Sequence, residues 1–183
     1  FKSEYNLYLK NLNTIAKNDT IYKSSPQMEL MSIIELNTSL PLINQTDGEV
    51  NYLTPKISLR LNPGDMKDYS SSDRSINVDG IFDINRLAID DSFEEGKSLT
   101  LGVEYKKTRL KDINKFFEAK IATVYRDENE SFIPQSTGLS GKDPNIFGSI
   151  SNNFSNIMNV SYDFILDNDL NTLKYNSLNT SIS

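Results

Sequence analysis

The sequence predicts an all-β fold in which antiparallel, up-and-down strands form part of a large transmembrane β-barrel. Three observations favour this class. Apolar and polar residues alternate with a period of two in about eight segments of the chain. Most segments are long enough to span a membrane, which takes about 9–11 residues, whereas strands of globular proteins typically have about 5–6. Long and short connections also alternate, as they do in outer-membrane barrels.

The first three predicted strands lie at 1–9, 27–36 and 50–61. The first has aromatic and leucine side chains on one face and charged or amide side chains on the other. The second alternates less cleanly, because Met31 and Ile33 lie opposite its other apolar residues. The third opposes leucine and isoleucine to lysine, serine and arginine, which predicts a strand with one apolar and one polar face.

The strand at 97–107, KSLTLGVEYKK, alternates regularly, and so does the strand at 156–166. Such an apolar face looks either into the core of a soluble sheet or outward into lipid. We predict the second arrangement, in which the polar face lines a lumen. The residues predicted to face lipid are Leu99, Leu101, Val103, Met158, Val160, Tyr162 and Phe164.

The other predicted strands lie at 115–126, 146–154 and 170–182. The last two alternate weakly. The first also has apolar residues at helical spacing over 110–121, but the sequence ATVY that follows favours a strand. Tyrosines near strand ends suit either a membrane-interface girdle or an ordinary sheet. These tyrosines are Tyr52, Tyr105 and Tyr125.

Polar residues on these strands are the candidate lumen-facing site. In a barrel they would point into the lumen, where the basic side chains, Arg126 among them, would meet anionic groups, whereas on a soluble sheet they would be solvated surface groups. The candidates are Lys56, Arg60, Thr100, Glu104, Lys106, Glu118, Lys120, Asn159 and Asp163.

The lengths of the connections predict that residues 1–183 form one segment of a barrel. All its long loops are expected at the same end of the strands. The turns at 44–48, at 108–112 and around Asn156 are short. The connection at 167–169 departs from the series, because it is short where a long loop is expected. The long connections are 10–25, 62–96 and 127–145.

The loop at 62–96 is too long to be a simple connection, and its apolar residues need a surface to bury against. We predict that it is extracellular, partly folded and closes the barrel mouth. Asp79 and Asp83 are expected to bond loop N–H groups or to pair with Arg86. Its apolar residues include Ile81, Phe82, Ile84 and Leu87.

Composition excludes several kinds of function. The chain has no Cys and no His, which removes metal sites and triads built on those residues. Its net charge of −6 argues against nucleic-acid binding. The acidic pairs at 90–91 and 94–95 are interpreted as a solvated loop, and 138–145 as a loop tip. Nothing predicts an enzyme, a cofactor or a metal site, and the absence of a leader predicts an internal or processed segment.

Two segments carry motifs in a specific order. In 52–106, a strand with an internal proline leads into a long loop with an aromatic–acidic pair, Asn-Arg-Leu and a glycine. In 136–178, a Gly-Lys-x-x-x-Ile-x-Gly pattern precedes further strands. Over roughly 26–183 the chain resembles the LptD (OstA, Imp) family of outer-membrane LPS-assembly proteins. The motif residues are Pro55, Asp79, Phe82, Asp83, Asn85, Arg86, Leu87, Gly96, Leu99, Thr100, Gly102, Gly141, Lys142, Ile146 and Gly148.

This resemblance implies a mid-barrel fragment of a translocon in the outer membrane of a Gram-negative bacterium. Such proteins insert lipopolysaccharide (LPS) into the outer leaflet without covalent chemistry. The implied partners are LPS, the plug lipoprotein LptE, the periplasmic LPS-transport bridge proteins and the lipid bilayer. Two other interpretations stay open: another outer-membrane porin or transporter barrel, and a soluble β-sandwich binding module.

Overall fold

A computed structural model describes residues 1–155 and 157–182 of the chain. These residues form one antiparallel sheet of nine strands, which confirms the predicted all-β, antiparallel class. No helix in this part of the chain is long and apolar enough to cross a membrane. The strands are β1 (Lys2–Thr14), β2 (Gln27–Ser39), β3 (Leu42–Thr46), β4 (Glu49–Asn62), β5 (Gly96–Arg109), β6 (Asp112–Arg126), β7 (Ile146–Ser155), β8 (Met158–Leu166) and β9 (Leu173–Ile182).

The strands follow one another across the sheet, except that β2 and β3 occupy one position beside β4. Pro41 separates them, because a proline has no N–H to donate to the ladder. The Leu40 N–H before the proline donates to Pro55 O at 3.0 Å, and pairing with β4 resumes at Leu42. Sequence patterns missed β3, which was interpreted as part of a turn. The true turn is only Asp47–Gly48, where Gly48 has φ +97°.

Most of the remaining strands are longer than their alternation suggested, whereas β8 and β9 are shorter. β1 continues to Thr14, so the first loop begins at 15 rather than 10. β6 has 15 residues, which settles the helix-or-strand ambiguity there in favour of the strand. Cross-strand packing overrides the helical spacing, because every residue from Phe116 to Arg126 faces a partner on β5 in unbroken register.

All of the longer connections join strands at the same end of the strands, which is here called the loop edge of the sheet. They are 15–26, 63–95, 127–145 and 167–172. In the described part of the chain, the opposite end of the strands, the turn edge, has tight turns such as Leu110–Lys111. Antiparallel neighbours require this alternation, since consecutive connections must lie at opposite ends of the strands.

The two faces of the sheet differ in what contacts them. The covered face carries Arg60, Thr100 and Ala122, and the connection 63–95 folds over it. On the open face no other segment of the described chain is packed, and apolar side chains are exposed there. Exposed examples are Leu7, Leu9, Ile34, Ile57, Leu59, Ile121, Ile150 and Leu178. Gly148 on this face leaves room for the ring of Phe164 on the neighbouring strand, because an added Cβ would overlap that ring.

Candidate functional site

The connection 63–95, here called the plug loop, is held on the covered face by a hydrophobic cluster at the loop edge. Its buried residues include Ile81, which is 1% exposed. They pack against side chains of β6, β7 and β8 and against the connection 127–145. The cluster comprises Met66, Ile76, Val78, Ile81, Leu87, Ile89, Ala122, Val124, Ile133, Leu139, Phe147 and Ile165.

Phe82 of the plug loop docks directly on Gly102 of β5. A Cβ atom added to Gly102 would lie 2.8 Å from Phe82 Cζ and 3.1 Å from the Ile121 carbonyl oxygen. Glycine is therefore the residue that allows this close approach. Lys56 Nζ lies 5.5 Å from the centroid of the same ring, at a distance typical of a cation–π contact.

A buried ionic cluster, here called the Glu94 clasp, joins the end of the plug loop to the sheet. Arg86 Nε donates to Glu94 Oε2 at 2.6 Å, and Arg86 Nη2 bonds the other oxygen. Arg60 on β4 donates to Glu94 Oε2 at 3.3 Å, and Arg126 on β6 bonds Glu94 Oε1. Arg126 also donates to the Glu95 carbonyl at 2.6 Å. One loop carboxylate thus connects two strands and the loop itself.

The electrostatics of the clasp favour its ionised form. Burial alone would raise the pKa of the Glu94 carboxyl, but the charges of Arg86, Arg60 and Arg126 outweigh it and hold the pKa at about 2. Removing one partner of such a buried pair costs about 3–5 kcal/mol, because the other charge stays buried without compensation. The clasp therefore fixes the plug loop more firmly than surface ion pairs would.

A second anchor joins the plug loop to the connection 15–26. Tyr22 and Tyr69 both donate to the Asp91 carboxylate, and Lys67 Nζ donates to the Asp91 carbonyl at 3.0 Å. Burial acts to raise the pKa of Asp91, but the two tyrosine hydrogen bonds and the Lys67 charge hold it below its usual value. The hydrogen bond from Tyr22 to Asp91 also raises the pKa of the Tyr22 hydroxyl to about 12.

Two interpretations of the loop sequences were wrong. The acidic pairs are not simply solvated, because Glu94 is buried in the clasp and Asp91 is bonded by two tyrosines. Segment 138–145 is not merely a loop tip, because Leu139 is buried in the hydrophobic cluster and Asn145 donates to the Gly138 carbonyl at 2.5 Å.

The expected pairing of Arg86 with Asp79 or Asp83 was also wrong. Arg86 pairs with Glu94 instead and donates to Ser98 Oγ and Thr100 Oγ1, both at 3.1 Å. Asp79 pairs with Lys120 at 2.6 Å. The other motif residues are accounted for locally: Asn85 donates to the Ile89 carbonyl and Leu87 is buried. The described chain has no group of three or more Asp and Glu side chains that could hold a metal ion, and this includes the surroundings of both acidic pairs.

All nine candidate polar residues of the strands lie on the covered face, as the strand registers require. Arg60 and Thr100 are buried under the plug loop at the loop edge. Nearer the turn edge, opposite charges alternate. The pairs are Lys56–Glu104 at 2.5 Å, Lys106–Glu118 at 3.7 Å and Lys120–Glu118 at 2.9 Å. Asn159 and Asp163 lie on the same face of β8. This arrangement holds charge and hydrogen-bonding groups without a nucleophile–base pair.

A comparison with protein families identifies the chain. The model of the family LptD, LPS transport system D, matches residues 2–183. The chain belongs to the LptD family. No curated protein matches it closely enough to be counted as a relative. Members of the LptD family are outer-membrane components of Gram-negative bacteria that serve LPS transport, and the family is not known for catalysis.

Sequence reasoning missed several residues of this LptD-family site. Arg126 and Glu94 were not singled out as partners, and Tyr22 and Tyr69 were not connected with Asp91. The pairs are 32, 69 and 22 residues apart in the chain. No local signal in the sequence pointed to these pairs, because only the fold brings the partners together.

Proposed function

We propose that this chain forms part of the wall of a translocon that inserts LPS into the outer leaflet of the outer membrane. The observation that carries the proposal is the contrast between the two faces of one sheet. The open face exposes aliphatic and aromatic side chains, whereas the covered face carries a folded loop and, nearer the turn edge, charged and polar side chains. A transmembrane barrel needs this combination, with lipid outside and a polar lumen inside.

The nine polar residues of the covered face then line the lumen, and the open-face residues contact the lipid bilayer. The alternating charges near the turn edge support this, because charged groups facing hydrocarbon would be strongly destabilising. The lumen wall supplies a polar surface along which the hydrophilic part of LPS moves. The process involves no covalent chemistry and no cofactor.

The plug loop closes the lumen at the extracellular mouth. It is fixed there by the hydrophobic cluster, the Glu94 clasp and the Asp91 anchor. Other parts of the machinery are proposed from the family: LptE as the plug lipoprotein, and periplasmic bridge proteins that deliver LPS. The loop edge would then be the extracellular edge, and the turn edge the periplasmic one.

The test uses the full-length protein in cells whose own copy can be depleted. Glu94→Gln should release the plug loop, raise the uptake of a hydrophilic dye and lower the LPS detected by antibody on intact cells. The exposed Glu128→Gln on the connection 127–145 is the matched control. Depletion that abolishes dye or ion permeation but leaves surface LPS unchanged would overturn the proposal in favour of a porin.

A further inference from the structure

A polar cavity of about 410 Å³ lies between the plug loop and the last two strands of the sheet. Its position follows from the strand register. One row across the covered face, Phe147–Ile165–Tyr175, packs under the loops, and the next row toward the turn edge places Asp163 beside Ser177. The cavity opens where the apolar contacts of the plug loop give way to this polar row. Its side chains include Ser75, Asn77, Asp163, Tyr175, Ser177 and Asn179.

Several of these side chains have unused hydrogen-bonding capacity. In the described part of the chain, neither the Asp163 carboxylate nor the Tyr175 hydroxyl has a hydrogen-bond or ion-pair partner. Asn77 uses only its Oδ1 atom, which accepts from the Gly80 N–H at 3.0 Å. Asn179 donates to Ser177 Oγ at 3.3 Å, so its amide oxygen stays open. Acceptors and donors from three separate elements, the plug loop, β8 and β9, therefore face one space.

The lining chemistry separates the possible ligands. An anion would meet the carboxylate of Asp163. The Arg86 guanidinium also lines the cavity, but Glu94, Ser98 and Thr100 already engage it. An acyl chain would leave the polar lining unsatisfied. A metal ion would need several acidic ligands, and the described residues include no group of three or more Asp and Glu that could hold one. Sugar hydroxyls both donate and accept, and the apolar face of a sugar ring can pack on Tyr175.

We propose that this cavity binds a neutral sugar of the saccharide part of LPS, an inference that rests on the proposed transport function. Sugar hydroxyls donate to the Asp163 carboxylate and to the Asn179 amide oxygen, and accept from the Asn77 amide. The cavity holds the saccharide against the lumen wall beside the fixed plug loop. It gives the moving lipid a resting position rather than a reaction site.

The test measures equilibrium binding to the purified full-length protein in detergent. The probe is the oligosaccharide released from the cell's own LPS by mild acid hydrolysis. Asp163→Ser and Asn179→Ala should each weaken binding about 10-fold, which is the effect of losing one hydrogen bond of a strongly bonded polar group. Glu128→Gln is the matched control, because Glu128 is exposed on the connection 127–145 and lies outside the cavity and the covered face of the strands.

The outcomes separate this inference from the proposed function. Undetectable oligosaccharide binding in a protein that still delivers LPS to the cell surface would overturn the cavity assignment alone. Equal binding by wild type and Asp163→Ser would do the same. A protein that binds the oligosaccharide through Asp163 but is dispensable for surface LPS would support the cavity and overturn the transport function.

Discussion

At the scale of single residues, the plug loop depends on a few contacts that no other side chain can replace. The Glu94 clasp joins Arg86 of the loop to Arg60 and Arg126 of the sheet. Gly102 supplies the flat surface on which Phe82 lies. Apart from the Arg86–Glu94 bonds within the loop, these contacts join the loop to a strand, so loss of any one favours opening of the loop before unfolding of the sheet.

Glu94→Gln should destabilise docking of the plug loop by about 3–5 kcal/mol, because three guanidinium groups lose their shared counter-charge. The measurement is the rate of tryptic cleavage after Arg74, whose guanidinium donates to the carbonyls of Leu87 and Ala88 in the docked loop. Cleavage should accelerate markedly in the variant. The same rate in wild type, Glu94→Gln and the control Glu128→Gln would show that the clasp does not hold the loop.

Gly102→Val should loosen the loop for a steric reason, at a cost of about 1–3 kcal/mol. The new side chain occupies the space of the Phe82 ring. Combining it with Phe82→Ala should relieve the overlap, so the double variant should lose less stability than the sum of the two single variants. Strict additivity of the two effects in the same cleavage assay would argue that Phe82 does not dock on Gly102.

Docking of the loop should also depend on pH through Glu94. Its pKa is lowered in the folded protein to about 2, against about 4.3 for an unperturbed Glu. The stabilisation is therefore complete above the unperturbed value and declines as pH falls toward 2. Amide hydrogen exchange of 63–95, corrected for intrinsic rates, should show a larger difference between wild type and Glu94→Gln at pH 6 than at pH 3. A difference in exchange between wild type and Glu94→Gln that grows as the pH falls would contradict this role of Glu94.

At the scale of the elements, period-two alternation predicted most strands and which side chains share a face. It failed at β3, because a five-residue strand after Pro41 has too few residues to show a period. The alternation also underestimated the length of β1, because the last residues of this strand lie in a polar stretch of the sequence. The structure of the plug loop could not be predicted from local pattern, because Glu94 and Asp91 acquire their roles from partners distant in sequence, several of them on other elements.

Because the strands are placed in lipid, an introduced arginine should be tolerated differently at two adjacent positions of β8. Val160→Arg puts a charge on the open face, and should cost about 2–4 kcal/mol near the bilayer midplane. Ser161→Arg puts the same charge on the covered face, where it should be tolerated. Folded yield of the full-length protein in lipid vesicles measures both. Thr100 is unsuitable for this comparison, because it is buried beneath Arg86. Equal yields for the two β8 variants would contradict the assignment of the faces.

At the scale of the whole molecule, one sheet separates two environments and places its long connections at one edge. The sequence predicted that edge from loop lengths alone, because antiparallel order leaves no other arrangement. The resemblance to the LptD family agreed with the family match over residues 2–183. The cavity beside β8 and β9 was beyond sequence reasoning, because it exists only where a loop and two strands meet.

The most direct test of the account is the location of the two edges in intact cells. Single cysteines are placed at Ser71 in the plug loop and at Lys111 in a turn, both exposed, in a full-length protein without other reactive cysteines. A membrane-impermeant thiol reagent should label Ser71→Cys on intact cells, and Lys111→Cys only after the outer membrane is opened. The opposite pattern would place the plugged edge in the periplasm and contradict the account of a loop that closes the extracellular mouth.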